Sequence, residues 1–151
     1  MQKLISYPIS AIYYLVFGLI LCVFHPIQWF CFNVFGYQAH KKSVDILNFF
    51  LLRSTHILGT TYEFKSRNII PEGVPIVFVA NHQSMYDIIP MIWFLRKYHP
   101  KFISKKELGR GIPSVSYNLR HGGAAIIDRK DPKQALAAIK DLAVYIEKNN
   151  R

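Results

Sequence analysis

Ile9 to Phe24 is an uninterrupted apolar run of 16 residues, and it constrains the chain more than any other stretch. After His25-Pro26 it continues as Ile27-Gln28-Trp29-Phe30-Cys31-Phe32. The run alone is shorter than the roughly 20 residues that cross a bilayer squarely. Extended to Tyr37 it is long enough, with Pro26 expected to kink it. Lys3 and an apolar stretch also open signal peptides, but bulky aromatics follow where a small-x-small cleavage site belongs. We therefore expect a retained membrane anchor, with Tyr13, Tyr14, Trp29 and Tyr37 suited to the interface. The alternative is a buried core helix. Cys22 and Cys31 both lie in this region and read as small hydrophobes rather than a disulfide framework.

A polar break follows at Gly36 to Lys42. Ser43 is the expected cap of a second helix rich in Ile46, Leu47, Phe49, Phe50, Leu51, Leu52, Ile57 and Leu58. Two such helices could dip as a hairpin into one leaflet or pack on the rest of the protein. Residues 1–58 are thus expected to form a membrane-associating helical region.

Beyond Gly59 the pattern becomes strand–helix alternation over residues 59–151, which predicts an α/β sheet with flanking helices and parallel crossovers. Expected strands are Thr60–Lys65, Ile76–Ala80, Lys101–Ser104 and Ala124–Ile127. Pro71-Glu72-Gly73-Val74-Pro75 reads as a turn. Helices are expected over Met85–Tyr98, in a short piece from Lys105, over Ser114–Leu119, and from Pro132 onward. Asp131 is the cap of the last, with Gln134 placed to reach back.

The net charge of +10 points to an anionic partner, the alternative being a solvated basic surface that serves solubility alone. No basic helix with a polar face, zinc-ligand spacing or aromatic RNA-binding motif accompanies it, so nucleic acid is not expected. Next to an apolar anchor, excess Lys and Arg fit an anionic bilayer surface. His25, His40, His56, His99 and His121 show no ligand spacing with Cys or acidic residues, so no metal is expected.

Asn81-His82-Gln83-Ser84-Met85-Tyr86-Asp87 follows the apolar run Ile76–Ala80, at the place where open α/β sheets carry their sites. A carboxylate that accepts from one imidazole nitrogen leaves the other to remove a proton from a hydroxyl. His82 and Asp87 are spaced for such a pair. The alternative is a loop histidine beside a helix-capping aspartate. Gly123-Ala124-Ala125-Ile126-Ile127-Asp128-Arg129 ends a second apolar strand in a guanidinium able to fork onto a phosphate. The alternative there is a strand-end salt bridge.

Asn81-His82-x4-Asp87 resembles the first motif of the glycerolipid acyltransferases, specifically the 1-acylglycerol-3-phosphate (lysophosphatidic acid) acyltransferase family. Lys105-x-Glu107-Leu108 and Gly123-x4-Asp128-Arg129 resemble its next two segments, in the family's order. The resemblance implies the family's sheet, acyl transfer from acyl-CoA or acyl-carrier protein to the 2-hydroxyl of 1-acylglycerol 3-phosphate, and no cofactor. It implies His82 and Asp87 as catalytic, Lys105 and Arg129 on the acceptor's phosphate, and Asn81, Glu107, Gly123 and Asp128 as motif support. It also implies a membrane location with the site on the cytoplasmic side. The family's Glu-Gly-Thr-Arg motif does not occur here, so the chain is expected to be the amino-terminal part of such an enzyme. Related acyltransferases with another acceptor (glycerol 3-phosphate, a lyso-ornithine lipid, a lysophospholipid) share these motifs. A non-catalytic basic membrane-binding module is the rival from a different class.

Overall fold

The amino-terminal apolar run is one unbroken helix. The computed structural model describes residues 2–65, 71, 74, 76–81 and 83–149, and its first element, α1, spans Gln2–Phe35 with Pro8 and Pro26 inside it. Proline removes one helical hydrogen bond but leaves the rest of the ladder. Around Pro26 the helix is held by packing of Leu21, Phe24 and His25 against other elements. At 1.5 Å per residue α1 is about 51 Å long, and Ser6–Phe35 is long and apolar enough to cross a membrane.

The helix has two faces. Ile12, Leu15, Leu19, Val23, Ile27, Phe30 and Val34 recur at helical spacing and are exposed. Tyr13, Leu21 and Gln28 are buried against the rest of the protein. A greasy stripe thus stays unburied while the opposite stripe forms part of the core.

Gly36 makes the turn out of α1, with φ +80°. Glycine takes this left-handed conformation without a Cβ penalty. The chain then enters α2, Tyr37–Ser54. Phe32 meets His40 and Phe24 meets Phe50, so the two helices run antiparallel. The expected cap at Ser43 is corrected: α2 starts six residues earlier, and the buried Ser43 hydroxyl donates to the His40 carbonyl at 2.6 Å. Gln38, Ala39, Lys41 and Lys42 are adequate helix formers, so the polar stretch continues the helix rather than breaking it.

Among the described residues α1 alone has the length and composition of a membrane span. The second helix is a core element. Its Leu47, Leu51 and Leu52 cluster with Leu21 of α1 and with Ile89. Ile89 belongs to α3, Ile88–Phe94, and Phe49 of α2 packs on Trp93 there with ring centroids 5.0 Å apart. The long helix expected over Met85–Tyr98 is three pieces: a 3-10 turn at Met85–Asp87, α3, and a second 3-10 turn at Arg96–Tyr98.

The sheet is smaller than expected. Strand β1, Ile103–Lys105, pairs in parallel with β2, Ala125–Ile127, with Lys105 opposite Ile127. The crossover between them holds a 3-10 turn, Lys106–Gly109, and helix α4, Val115–His121. Helix α5, Pro132–Asn149, packs on β2. Asp131 caps it as expected, its Oδ1 accepting from the amides of Lys133 and Gln134 at 3.1 Å each.

Two expected strands do not form. Thr60–Lys65 has no regular structure, although Phe64 stacks on Phe94 at 5.1 Å. Ile76–Ala80 is neither strand nor buried: Val77 is 86% and Val79 91% exposed. An all-apolar strand needs partners on its edges and cover on both faces, and among the described residues none pairs with this run. Of the expected turn, Glu72, Gly73 and Pro75 lie outside the described residues. The architecture is therefore mostly helical, with a two-stranded parallel sheet and one apolar amino-terminal helix.

Candidate active site

The turn after Asn81 is built by reciprocal capping. Ser84 stands at the cap position, and its Oγ accepts from the Tyr86 amide at 3.3 Å. Asp87, three residues on, returns its carboxylate: Oδ2 accepts from the amides of Gln83 and Ser84, each at 2.9 Å. Two N–H donors fix the carboxylate next to the backbone that immediately follows His82. His82 itself lies outside the described residues, and Asn81 is exposed. Ser84 is engaged as a cap.

Tyr86 joins this turn to α1. Its hydroxyl donates to that of Tyr14 at 3.2 Å, and its ring meets Tyr13 edge-on at 5.7 Å and Phe17 at 6.5 Å. Burial, followed by the Tyr14 hydrogen bond, pushes the Tyr86 phenol up to about 12. Sequence reading missed this residue, because its partners are 72 residues away in the chain.

The second group of expected residues sits where the strands end. Lys105 is the last residue of β1, and Arg129 comes two residues after β2. Parallel pairing places both at the carboxyl end of the sheet, where backbone and side chains converge on ligands in open α/β folds. Both line one cavity of about 390 Å³. From these cations the cavity extends over apolar side chains, including Leu47, Leu51, Ile89 and Val115, to the entering ends of the strands. That opposite end is marked by Tyr37, His99 and Lys101. Lys101 to Lys105 spans about 13 Å along an extended strand. Tyr86 and Ile88, the neighbours of Asp87, line the same cavity.

Asp128 organises the cation end. Its Oδ1 accepts from the Lys130 amide at 2.9 Å and its Oδ2 from Lys106 Nζ at 3.2 Å. The Lys130 amide first, then Lys106, hold its carboxyl below the ordinary range. The strand-end salt bridge to Asp128 is made by Lys106, not by Arg129, for which it was the alternative role. Lys106 crosses from the end of β1 to the end of β2. Glu107 is exposed on the 3-10 turn. Gln134 was expected to complete a capping box; instead its side-chain amide grips β2, Oε1 accepting from the Asp128 amide at 2.8 Å and Nε2 donating to the Ile126 carbonyl at 3.1 Å.

Gly123, expected as motif support, has φ +79°. A Cβ there would lie 3.4 Å from both Lys101 Nζ and a Tyr145 ring carbon. Lys101 donates to the Gly122 carbonyl at 2.7 Å and to the Tyr37 hydroxyl, with His99 Nε2 at 3.2 Å. This knot ties the start of α2 to both strand entrances. Among the described residues no cluster of three or more His, Cys, Asp or Glu is placed to hold a metal.

A family model described as Acyltransferase matches residues 61–151. The 1-acyl-sn-glycerol-3-phosphate acyltransferase alpha of Ovis aries is 26% identical over 102 residues, covering 68% of this chain and 35% of that protein. The protein of the same name in Mus musculus matches equally, at 26% over 102 residues, with the same shares of both chains. A 1-acyl-sn-glycerol-3-phosphate acyltransferase of Chlamydomonas reinhardtii is 34% identical over 73 residues, 48% of this chain and 21% of that protein. The chain thus spans about a third or less of the length of these curated relatives. No solved structure matches it. With the family model covering more than half of its length, the chain belongs to the acyltransferase family that includes the 1-acyl-sn-glycerol-3-phosphate acyltransferases.

Proposed function

We propose that this protein acts in membrane phospholipid synthesis, moving a fatty acyl group from acyl-CoA or acyl-carrier protein to the 2-hydroxyl of 1-acylglycerol 3-phosphate. The observation that carries this reading is that Lys105 and Arg129 line one cavity at the carboxyl ends of parallel strands. Two cations there suit a phosphomonoester, and Arg offers it two parallel N–H donors. The apolar lining beyond them suits the lipid part of the same molecule.

In this mechanism His82 removes the hydroxyl proton and Asp87 orients and charge-stabilises the imidazole. The acceptor oxygen attacks the thioester carbonyl, the tetrahedral intermediate collapses, and the imidazolium returns its proton to the leaving thiolate. No acyl-enzyme is required, since Ser84 is committed to capping and both cysteines lie on α1. Residues 1–58 serve as the membrane-associating part. The exposed stripe of α1 meets lipid, and the site opens on the cytoplasmic side, where anionic headgroups attract the basic surface.

The test is acyl transfer to 1-acylglycerol 3-phosphate in membranes carrying the protein or its His82→Ala form. Transfer is expected to disappear while membrane association persists. Undiminished transfer by the variant overturns the base assignment, and transfer by neither form overturns the activity.

A further inference from the structure

The Gln134 side chain bonds the edge of β2 as a β-strand partner would. In a parallel ladder one residue donates to the carbonyl of i−1 and accepts from the amide of i+1 on its neighbour. The Gln134 side chain does this around Ile127, donating to Ile126 O and accepting from Asp128 N. These two groups point away from β1. The Ala125 amide bonds to Phe102 on the β1 side, and alternation turns the groups flanking Ile127 to the other edge. A side-chain amide thus satisfies two edge groups of β2 that no strand among the described residues pairs with.

The bonded amide of Asp128 immediately precedes Arg129, and the direction in which the chain leaves β2 decides where that guanidinium stands. Asp128 then fixes the next peptide through the Lys130 amide and spans to Lys106 next to Lys105. Lys106 is largely exposed in its pair with Asp128, and a single surface ion pair of this kind contributes little by itself. The two backbone bonds from Gln134 are what lock the exit.

We propose that Gln134 is a positioning residue for Arg129, setting its spacing from Lys105 and so the selectivity of the cavity mouth for a phosphate-bearing lysolipid over its neutral counterpart. This rests on the assignment of Arg129 to the phosphate in the proposed function.

The experiment measures binding of 1-acylglycerol 3-phosphate and of 1-monoacylglycerol to the 151-residue chain in detergent micelles, for the unaltered protein, Gln134→Met, Arg129→Ala and the double variant. Gln134→Met keeps the length and removes both hydrogen bonds. It is expected to lower the preference for the phosphorylated lipid by about tenfold to a hundredfold, the upper figure being the cost of a misplacement of about 1 Å. Affinity for the neutral lipid should hold, and exchange of the Asp128 amide should quicken. Arg129→Ala is expected to lower the preference further, to what Lys105 alone supplies, and adding Gln134→Met to it should change nothing further. Losses that add in the double variant, or equal losses for both lipids, would overturn the positioning role. So would an unchanged preference in Gln134→Met while Arg129→Ala lowers it, with the phosphate assignment left standing. An unchanged preference in Arg129→Ala, or no binding by the unaltered protein, would remove the phosphate assignment and the inference together.

Discussion

The Tyr86 hydroxyl donates to the Tyr14 hydroxyl at 3.2 Å, so the residue beside Asp87 is fastened to the apolar amino-terminal helix. Tyr13 and Phe17 enclose the same ring from one side. The turn that carries the proposed catalytic carboxylate therefore takes its position partly from the helix that is long and apolar enough to cross a membrane. Tyr86→Phe keeps the ring contacts and should cost under about 1 kcal/mol, the net worth of one hydrogen bond. Tyr86→Ala removes a half-buried ring and should cost about 2 kcal/mol, below the range for fully buried aromatics. Acyl-transfer assays with both variants should rank them in the same order. Equal activity of Tyr86→Ala and the unaltered protein would dissociate the helix from the turn.

Asp87 does two things that substitution can separate. Its carboxylate caps the turn by accepting from Gln83 and Ser84, and in the proposed mechanism its charge supports an imidazolium. Asp87→Asn retains an acceptor for the two amides and loses the charge. Thermal unfolding should shift little, by less than the roughly 1 kcal/mol that cap removal costs. Transfer should nevertheless fall by at least about 100-fold, the lower range of a general acid–base contribution. Retained transfer with a lowered melting temperature would make Asp87 a cap and nothing more.

His40 is 1% exposed, enclosed by the rings of Phe32 and Tyr117 where α1, α2 and α4 meet. Burial lowers its pKa, and repulsion from His121 and Lys101 lowers it further, while the Gln28 backbone acts the other way. His121, in tilted contact with the rings of Tyr117 and Phe32, is also lowered, first by burial and then by Arg120. Each folded-state pKa lies below the unfolded value of about 6.5, so the unfolded chain binds more protons in between. Stability from both rings is complete above about pH 6.5 and declines as pH falls towards the folded values. Melting temperatures in detergent should drop between pH 7.5 and pH 5.5, and His40→Phe should flatten that slope. An unchanged slope would place the acid sensitivity elsewhere.

Much of this arrangement is readable in the sequence, where local chemistry decides it. The length of α1 follows from its apolar run and the start of α5 from Asp131-Pro132. The strand ends that carry Lys105 and Arg129 came within a residue or two. What failed depends on distant partners. Ile76–Ala80 has strand composition, but a strand exists through its neighbours, and composition does not say whether they are there. The start of α2 was misplaced because Lys41-Lys42 reads as a turn, when Gly36 alone makes the reversal. Lys106 carries no local sign of its partner and Gln134 reads as a helix-capping side chain; their partners lie 22 and 6–8 residues away and become visible only once β1 and β2 are paired. Tyr86 was hidden for the same reason.

The paired glycines before β2 should respond unequally to alanine. At Gly122 an added Cβ would stand 2.5 Å from the Asn118 carbonyl oxygen, a backbone atom held in α4 that cannot turn aside. At Gly123 the new methyl would meet Lys101 Nζ and Tyr145 at 3.4 Å, side-chain atoms able to give, and the main penalty is the positive φ. Gly123→Ala should therefore cost about 1 kcal/mol, the left-handed penalty for an L-residue, and Gly122→Ala about 2–3 kcal/mol, the upper part of the usual range for point changes. Both changes push on the chain as it enters β2, the strand that ends beside Asp128 and Arg129. In transfer assays they should raise KM for the phosphorylated acceptor more than for the acyl donor, with Gly122→Ala the worse. The reverse order in calorimetry would mean that the Gly122 carbonyl and its 2.7 Å bond from Lys101 shift together without strain, and that the strand entrance is softer than its contacts imply.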